Sequence, residues 1–476
     1  MWFNTYTFGA FLVVVFGAYW LLPPRGRQLF LLAASYLFYC WKTPVYGLLL
    51  VATTLLDFGC GLWIGHAQRP GHRRLALLCS LSGNLGILFF FKYADFIGGN
   101  LAGLGRLLGF ETQWTPYDFL LPAGISFYTF QSICYTLEIY RRQIQPCRNP
   151  ISFALYVAYF PQLVAGPIER ADHLLPQLQK TQTFNWDNIV AGGGRILLGL
   201  FRKMVVADRL AILVDRVFGH VDDYSTATLW VALLAFALQV YFDFAGYSDI
   251  AIGSARLFGV RITENFDRPL MARSVADFWD RWHLTLTSWL RENVFFTLGG
   301  SRRGRARTVF NIWVLFLLCG LWHGASWNFV LWGAYYAFFN SLYYLWRQWR
   351  PQPKGASRSR EPPGWRGLAG ITATNLLVAL AASLFRAKGL AATGRIWQAL
   401  AGLHPGAALA TEWDVWVIVA LMAMIFVVEY FQEYHALDDR FRRLGPRAQA
   451  VAWAVLVLAL VFLSVSNQKP YVYFQF

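Results

Sequence analysis

Thr7-Phe-Gly-Ala-Phe-Leu-Val-Val-Val-Phe-Gly-Ala-Tyr-Trp-Leu-Leu22 carries no charged side chain, and the residues after it, 23–27, bring Arg25 and Arg27. Such a run satisfies its backbone polar groups internally as a helix, and about 20 apolar residues cross the hydrocarbon of a bilayer. The alternation repeats along the chain. Apolar blocks at 28–41, 44–64, 75–93, 119–139 and 151–166 are expected to span, as are 370–386, 411–431 and 450–466. The first block lacks a positively charged leader and an A-x-A cleavage site, so it reads as a retained span rather than a signal sequence.

Composition agrees with the pattern. Hydrophobic residues make up 57% of the 476, and charged residues only 14%, where a soluble domain carries about a quarter charged. The 21 Trp and 23 Tyr suit the aromatic belts of a membrane interface. The expected fold class is an all-α polytopic membrane protein, with membrane lipid as its solvent.

A net charge of +16 could point to nucleic acid, but the cations concentrate in short loops between apolar blocks. These loops hold Arg69, Arg73 and Arg74; Arg141, Arg142 and Arg148; and, in an Arg- and Pro-rich segment at 347–366, Arg347, Arg350, Lys354, Arg358, Arg360 and Arg366. That is the positive-inside pattern, which places the loops in the cytoplasm and argues against a nucleic-acid partner. Counting spans from either end puts both termini, and the stretch from Asp95 to Asp118, on the outer face.

The middle, about 167–310, breaks the regularity. Charges are dense there and apolar stretches are short, apart from a span expected near 225–245. Irregular backbone at membrane depth is tolerated only where it is buried in protein or lines a cavity, so short re-entrant or interfacial helices around a cavity are expected. The chain then divides into N-terminal spans at 7–166, a core at 167–345, the basic loop at 347–366 and C-terminal spans at 370–476, all within one membrane domain.

Cys40, Cys60, Cys79, Cys134, Cys147 and Cys319 show neither CxxC nor Cys/His spacing, which excludes a zinc motif and a disulfide framework. No metal site is expected. The absence of G-x-S-x-G and H-E-x-x-H removes two hydrolase designs.

Six of the eight histidines (His66, His72, His173, His220, His404 and His435) sit in polar or basic segments and read as solvated loop residues. His323 differs, because Leu318-Cys-Gly-Leu-Trp-His-Gly-Ala-Ser-Trp-Asn328 is flanked by apolar blocks. An ionisable group at membrane depth is costly and marks function by default. Gly320 and Gly324 allow close approach of a helix or a substrate, and Trp322 and Trp327 could wall a site. A neutral imidazole there suits removal of a proton from an incoming hydroxyl. His283 opens an amphipathic segment running to Arg291, in which Trp279, His283 and Leu286 would share one helical face, with Asp280 and Arg281 turned away. Asp243 and Asp249 read as buried carboxylates that pair with Arg or cap a short helix. The Gly299-Gly-Ser-Arg-Arg-Gly-Arg305 run reads as a cytoplasmic basic loop rather than a phosphate-binding loop.

Several segments, taken in order, carry a resemblance. Asp243-Phe-Ala-Gly-Tyr-Ser-Asp249 and its continuation to Gly259, Asn265-Phe266, Asp277-Phe-Trp-Asp-Arg-Trp-His-Leu-Thr-Leu286 and Trp322-His-Gly-Ala-Ser-Trp-Asn328 resemble the membrane-bound O-acyltransferases (MBOAT). Leu121 to Gln131, Tyr159 to Ile168 and the terminal Tyr471-Val-Tyr-Phe-Gln-Phe476 fit the bacterial branch that modifies exported polymers such as alginate. The chain departs from that branch at Glu292-Asn293, at Thr297 and at Ala334-Tyr-Tyr-Ala337.

The resemblance implies a ring of transmembrane helices around a funnel in the bacterial inner membrane. It also implies two catalytic residues, His323 as the main one and His283 at the second signature position to orient the acyl thioester or polarise its carbonyl, with support from Trp282, Trp322, Asn265, Asn328, Asp243 and Asp249. The implied activity is acyl transfer, with acetyl the first candidate, from a cytoplasmic thioester to O-acetylate an exported polysaccharide. Acetyl-CoA or an acyl carrier would be the donor substrate, with no bound cofactor, and a periplasmic or membrane-anchored partner would accept the acetyl group. D-alanyl transfer from a carrier protein is the alternative within the class, and a transporter with buried ionisable residues the alternative outside it.

Overall fold

The computed structural model describes residues 1–117, 121–349, 362–402, 406, 413–465 and 471–472. The described residues are helical, with no β-strand among them. Contacts gather the chain into two units, Met1–Leu197 with Tyr247–Thr263, and Leu198–Gly246 with Glu264–Phe476. These boundaries differ from the divisions at 166 and 345 expected from hydropathy, because the helix Thr226–Leu257 passes residues to both units.

In the first unit the helices start where sequence chemistry permits. Thr5 accepts a hydrogen bond from the amide of Phe8 at the head of Tyr6–Leu21. Asn149 does the same for Ile151 and Ser152 ahead of Pro150–Ala158. Pro24 and Pro70 occupy first-turn positions, where no amide donor is needed, in Pro24–Cys40 and Pro70–Leu88. Val45–His66 and Ile125–Tyr140 complete the early set. The expected span at 75–93 is longer than its hydropathy block, since Pro70–Leu88 runs through a π-helical turn, Phe89–Tyr93, into Ala94–Leu107.

The expected span at 151–166 is a correction. Only Pro150–Ala158 is helical, too short to cross a bilayer, and Pro161, Gly166 and Pro167 interrupt the stretch beyond it. The irregular backbone from Tyr159 to Ile168 is nevertheless fully buried, which is the condition under which it is tolerated.

In the second unit short helices dominate up to residue 300, as expected: Asp208–Gly219, Val275–Trp279 and Leu284–Leu290, with π-helical turns at Phe201–Ala207 and Arg291–Phe295. The exception is Thr226–Leu257, which is longer than the expected 225–245. Arg305–His323 and Trp327–Trp349 form a helical hairpin. Its close approach depends on glycine: a Cβ on Gly320 would meet the Phe329 carbonyl oxygen at 2.2 Å, and one on Gly333 the Phe316 oxygen at 2.4 Å. Trp365–Arg386, Leu390–Leu400, Trp413–Tyr434 and Pro446–Leu463 come after it.

Among the described residues, six helices are long and apolar enough to cross a membrane, at Val45–His66, Pro70–Leu107, Thr226–Leu257, Arg305–His323, Trp365–Arg386 and Val415–Tyr434. Val13, Val14, Leu48, Leu55, Val461 and Phe462 point outward as exposed apolar side chains, as lipid-facing surface requires. The chain is a multi-pass membrane protein. Of the basic segment 347–366, residues 350–361 lie outside the described residues, as do His404, Asp118 and the terminal residues 473–476.

Candidate active site

His323 is the last residue of the helix Arg305–His323, and Gly324 then turns to extended backbone. Its imidazole is held by rings, with Trp332 at 4.9 Å, Phe385 at 5.1 Å and Trp322 at 5.0 Å between centroids, all edge-on. It lines a cavity of about 90 Å³ whose other walls include Trp279, Trp282, Trp332, Tyr336, Phe244 and Phe385. Asp243, Tyr241 and Asn375 are the further polar side chains on this wall. Tyr336 belongs to the stretch in which the sequence departs from the family pattern. Trp327, expected as a wall, is instead half exposed and does not line the cavity. The glycines are explained by packing rather than by a substrate: Gly320 meets Phe329 and Gly333, and Gly324 lies against the Phe329 ring.

His283 is placed differently from the expectation of one continuous amphipathic helix. The chain breaks at His283, where φ is 44° and ψ is 55°, between Val275–Trp279 and Leu284–Leu290. A left-handed non-glycine residue costs about 1–2 kcal/mol and persists only where its surroundings hold it. Here Asn265 holds it twice. The Asn265 carbonyl accepts the Leu284 amide at 2.9 Å, and Oδ1 accepts from Thr285 N at 3.3 Å and Thr285 Oγ1 at 2.9 Å.

Because a backbone amide donates to it, that Asn265 atom is an oxygen. His283 Nδ1, 3.1 Å away, must therefore carry its hydrogen and donate. The lone pair is left on Nε2. Phe244 packs edge-on to this ring at 4.8 Å and Trp322 at 5.7 Å, so Trp322 touches both imidazoles.

Arg281 is turned away from His283, yet it is buried rather than solvated. Its guanidinium donates to Asp277 Oδ1 and to Glu433 Oε1, each at 2.9 Å, and Arg268 reaches Glu433 Oε2 at 3.2 Å. Trp282 lines the cavity and stacks on Phe278 at 5.3 Å.

The remaining candidates divide. Asp243 is buried and pairs with Lys203 Nζ at 2.6 Å, while its other oxygen accepts from the Val472 amide at 2.8 Å. Lys203 also bonds Asp208 at 2.9 Å and lies over the Tyr471 ring at 4.6 Å. The partner of Asp243 is thus Lys rather than the expected Arg. Asp249 does pair with an arginine, Arg195, at 2.6 Å, within the first unit. Asn328 ties helix ends together, its Nδ2 donating to the carbonyls of Leu384 at 3.1 Å and Ala387 at 2.7 Å. It does not line the cavity that holds His323. The basic run at Gly299–Arg305 forms a turn, with Asn311 Nδ2 bonded to the Gly300 carbonyl at 2.8 Å.

Two residues escaped the sequence reading altogether. Glu429 and Glu433 lie buried in Trp413–Tyr434, Glu429 accepting from the Tyr241 hydroxyl and from the Leu270 amide. Their signal was a carboxylate inside an apolar run, which by default marks a built-in partner.

A polytopic membrane protein with a half-buried imidazole on an aromatic cavity and a buried one beside it is one class of catalyst among several, and comparison with known proteins narrows it. The family description "MBOAT, membrane-bound O-acyltransferase family" matches residues 142–383, half of the chain. The chain belongs to this family and is an O-acyltransferase. It is 33% identical to the probable alginate O-acetylase AlgI of Pseudomonas putida, over 98% of each chain. It is 32% identical to the peptidoglycan O-acetyltransferase of Helicobacter pylori, covering 84% of this chain and 80% of that one. Against the teichoic acid D-alanyltransferase of Bacillus subtilis the identity is 26%, over 57% of this chain and 70% of that one. The transporter alternative falls with the family assignment.

Proposed function

We propose that the chain transfers acetyl from acetyl-CoA, supplied from the cytoplasm, towards a hydroxyl of an exported polysaccharide at the bacterial inner membrane, with both termini outward. The carrying observation is His323, an imidazole at a helix end on the wall of an aromatic cavity. Two relatives named for O-acetylation, each matching over four-fifths or more of this chain, support acetyl as the group and an exported polymer as its destination.

In the proposed step His323 takes the proton of the acceptor hydroxyl as its oxygen attacks the acetyl carbonyl carbon. The carbon–sulfur bond breaks, and the coenzyme thiolate leaves and is protonated in turn. His283, with Nδ1–H donated to Asn265, keeps its position through the step, and Trp322 transmits that position to His323 by packing. A base within hydrogen-bond reach gives about a hundred- to ten-thousandfold, and holding both substrates at one point gives the remainder by proximity. A periplasmic or membrane-anchored partner that carries the acetyl group onward belongs to the same reading.

The test is labelled acetyl-CoA in membranes holding the natural chain, His323→Ala or His283→Ala. Label reaching a hydroxyl in the natural chain and lost in His323→Ala supports the reading. Undiminished transfer in His323→Ala removes His323 as the base. Transfer only from an aminoacyl carrier would replace the donor.

A further inference from the structure

A cavity of about 220 Å³ in the first unit is lined by Arg25, Arg27 and Lys180, and among the described residues no aspartate or glutamate stands on its wall. Arg27 is anchored there. Its guanidinium donates to the carbonyls of Leu22 at 3.0 Å, Gln182 at 3.0 Å and Trp20 at 3.4 Å, and it lies over the Tyr19 and Trp20 rings. Neutral carbonyls and rings hold a cation in place without cancelling its charge. Arg25 and Lys180 are exposed, and their side chains make no ion pair or hydrogen bond among the described residues. The same holds for the exposed Thr181 hydroxyl on the same wall. Three like charges on a concave wall focus their field into it, which favours an anion.

The neighbourhood says which kind of anion. A row of rings leads away from Arg27: Trp20 lies under its guanidinium at 4.9 Å, Phe184 meets Trp20 edge-on at 5.2 Å, and Trp186 meets Phe184 edge-on at 5.3 Å. Phe184 is exposed, and Trp186 is 69% exposed. Leu21 and Leu29, on the helices Tyr6–Leu21 and Pro24–Cys40, are exposed as well. Outward apolar side chains next to cations are the surroundings of a bilayer interface, where Trp is enriched. A soluble anion would use the cations and leave these apolar faces unused, whereas an anionic lipid uses both.

We propose that this cavity holds the headgroup of one anionic phospholipid, with its phosphate between Arg25, Arg27 and Lys180. The Thr181 hydroxyl donates to a phosphate oxygen, and the acyl chains lie along Leu21, Leu29 and Phe184. The volume equals about seven liquid-water volumes, room for a phosphate and the glycerol attached to it. Basic pockets between membrane helices suit anionic headgroups for the same reason. The site lies wholly within the first unit and both histidines belong to the second, so it stands independently of the acyl-transfer reading.

The test measures binding of a short-chain phosphatidylglycerol to the full chain in nonionic detergent, comparing the natural chain with Arg25→Ala, Lys180→Ala and the double variant. Phosphatidylcholine of equal chain length, inorganic phosphate and CoA are the other arms. Phosphatidylglycerol should bind about tenfold more tightly than phosphatidylcholine, whose choline brings a further cation to the cavity. Each single variant should raise the phosphatidylglycerol Kd about fivefold and the double variant about twenty-five-fold, as expected for each basic residue near an anionic headgroup. Added salt should weaken binding to the natural chain more than to the double variant.

Equal affinity for the two lipids, or an unchanged phosphatidylglycerol Kd in the double variant, overturns the proposal. So does CoA or inorganic phosphate that binds more tightly than the lipid and displaces it, which would make the cavity a site for a soluble phosphate. Arg25 and Lys180 hold nothing else in place, so the variants should melt with the natural chain. If one of the two does not, the other single variant still decides.

Discussion

His283, buried, and His323, half-buried, both have imidazoles touching Trp322, but the contacts around them differ in kind. His283 sits in a left-handed break, fixed by hydrogen bonds to Asn265 and two residues from a guanidinium locked between two carboxylates. His323 ends a regular helix and is positioned by the rings of Trp332, Phe385 and Trp322, with one side on a cavity. A hydrogen bond to an amide oxygen sets a tautomer and leaves a group little freedom. Ring packing sets a place through shape. Within the proposed step, the contrast fits a positioning role for the first histidine and proton transfer by the second.

The largest expected effect breaks this contrast outright. His323→Ala should lower acetyl transfer by about a hundred- to ten-thousandfold, with the amount of folded protein unaltered, as read from labelled acetyl-CoA and from a melting curve. A fall of similar size in folded protein would mean that His323 is structural, like its neighbour Asn328.

Next is the charge lock beside His283. Arg281→Met removes the guanidinium from Asp277, which keeps the Arg273 amide, and leaves Glu433 with Arg268. Breaking a buried pair costs about 3–5 kcal/mol, and the remaining Arg268 contact should keep the loss near the lower figure. Thermal unfolding in detergent checks this. The double change Arg281→Met with Glu433→Leu should recover part of the loss, since a buried pair replaced on both sides is often neutral.

How much of this was legible in the sequence depends on the physics of each residue. Hydropathy located the long apolar helices near 44–64, 75–93, 225–245, 370–386 and 411–431, because a lipid-facing helix must be apolar along its whole length. It did not name Arg305–His323, and the expected spans at 7–22, 28–41, 119–139 and 450–466 are not among the six long apolar helices of the described residues. It failed at 151–166 because Tyr159 to Ile168 is buried by protein, and burial by protein and burial in lipid look alike in composition. His323 stood out as an ionisable group in an apolar setting. Asn265 and Trp282 came from resemblance alone, since no local pattern says that an asparagine will receive the ring of a histidine 18 residues further on. Glu433 was invisible as the anchor of Arg281 because the two lie 152 residues apart. Pairing at that distance is set by packing, not by spacing.

A smaller effect sharpens the tautomer argument. Asn265→Asp keeps an acceptor for His283 and Thr285, whereas Asn265→Ala removes it. Acetyl transfer should fall about tenfold in Asn265→Ala, with the size of one lost buried hydrogen bond, and by less in Asn265→Asp. Equal losses in the two variants would mean that the side chain matters for shape rather than for the proton on His283 Nδ1.

The smallest effect belongs to a third histidine, which the sequence reading treated as solvated and which lies outside the membrane spans. His173 Nδ1 is 2.7 Å from Glu169 Oε2, and this hydrogen bond to a buried carboxylate raises its pKa above the ordinary 6.5 against the opposing effect of burial. Glu169 also receives the Thr263 amide, so the contact joins two stretches of the first unit. A raised pKa means that the folded state binds the proton more tightly. The stabilisation is complete below about pH 6.5 and is lost as pH climbs through the folded value. The His173 side chain is 46% exposed, so solvent screening holds the gain under about 1 kcal/mol. Melting temperatures of the natural chain should therefore fall slightly from pH 6 to pH 8, and those of His173→Gln should show a shallower slope. The two proteins should converge at the alkaline end, where a neutral imidazole and an amide make comparable contacts. A histidine held by an ion pair thus reports through stability, whereas a histidine held by rings reports through rate, and identical slopes in the two proteins would dissolve that distinction.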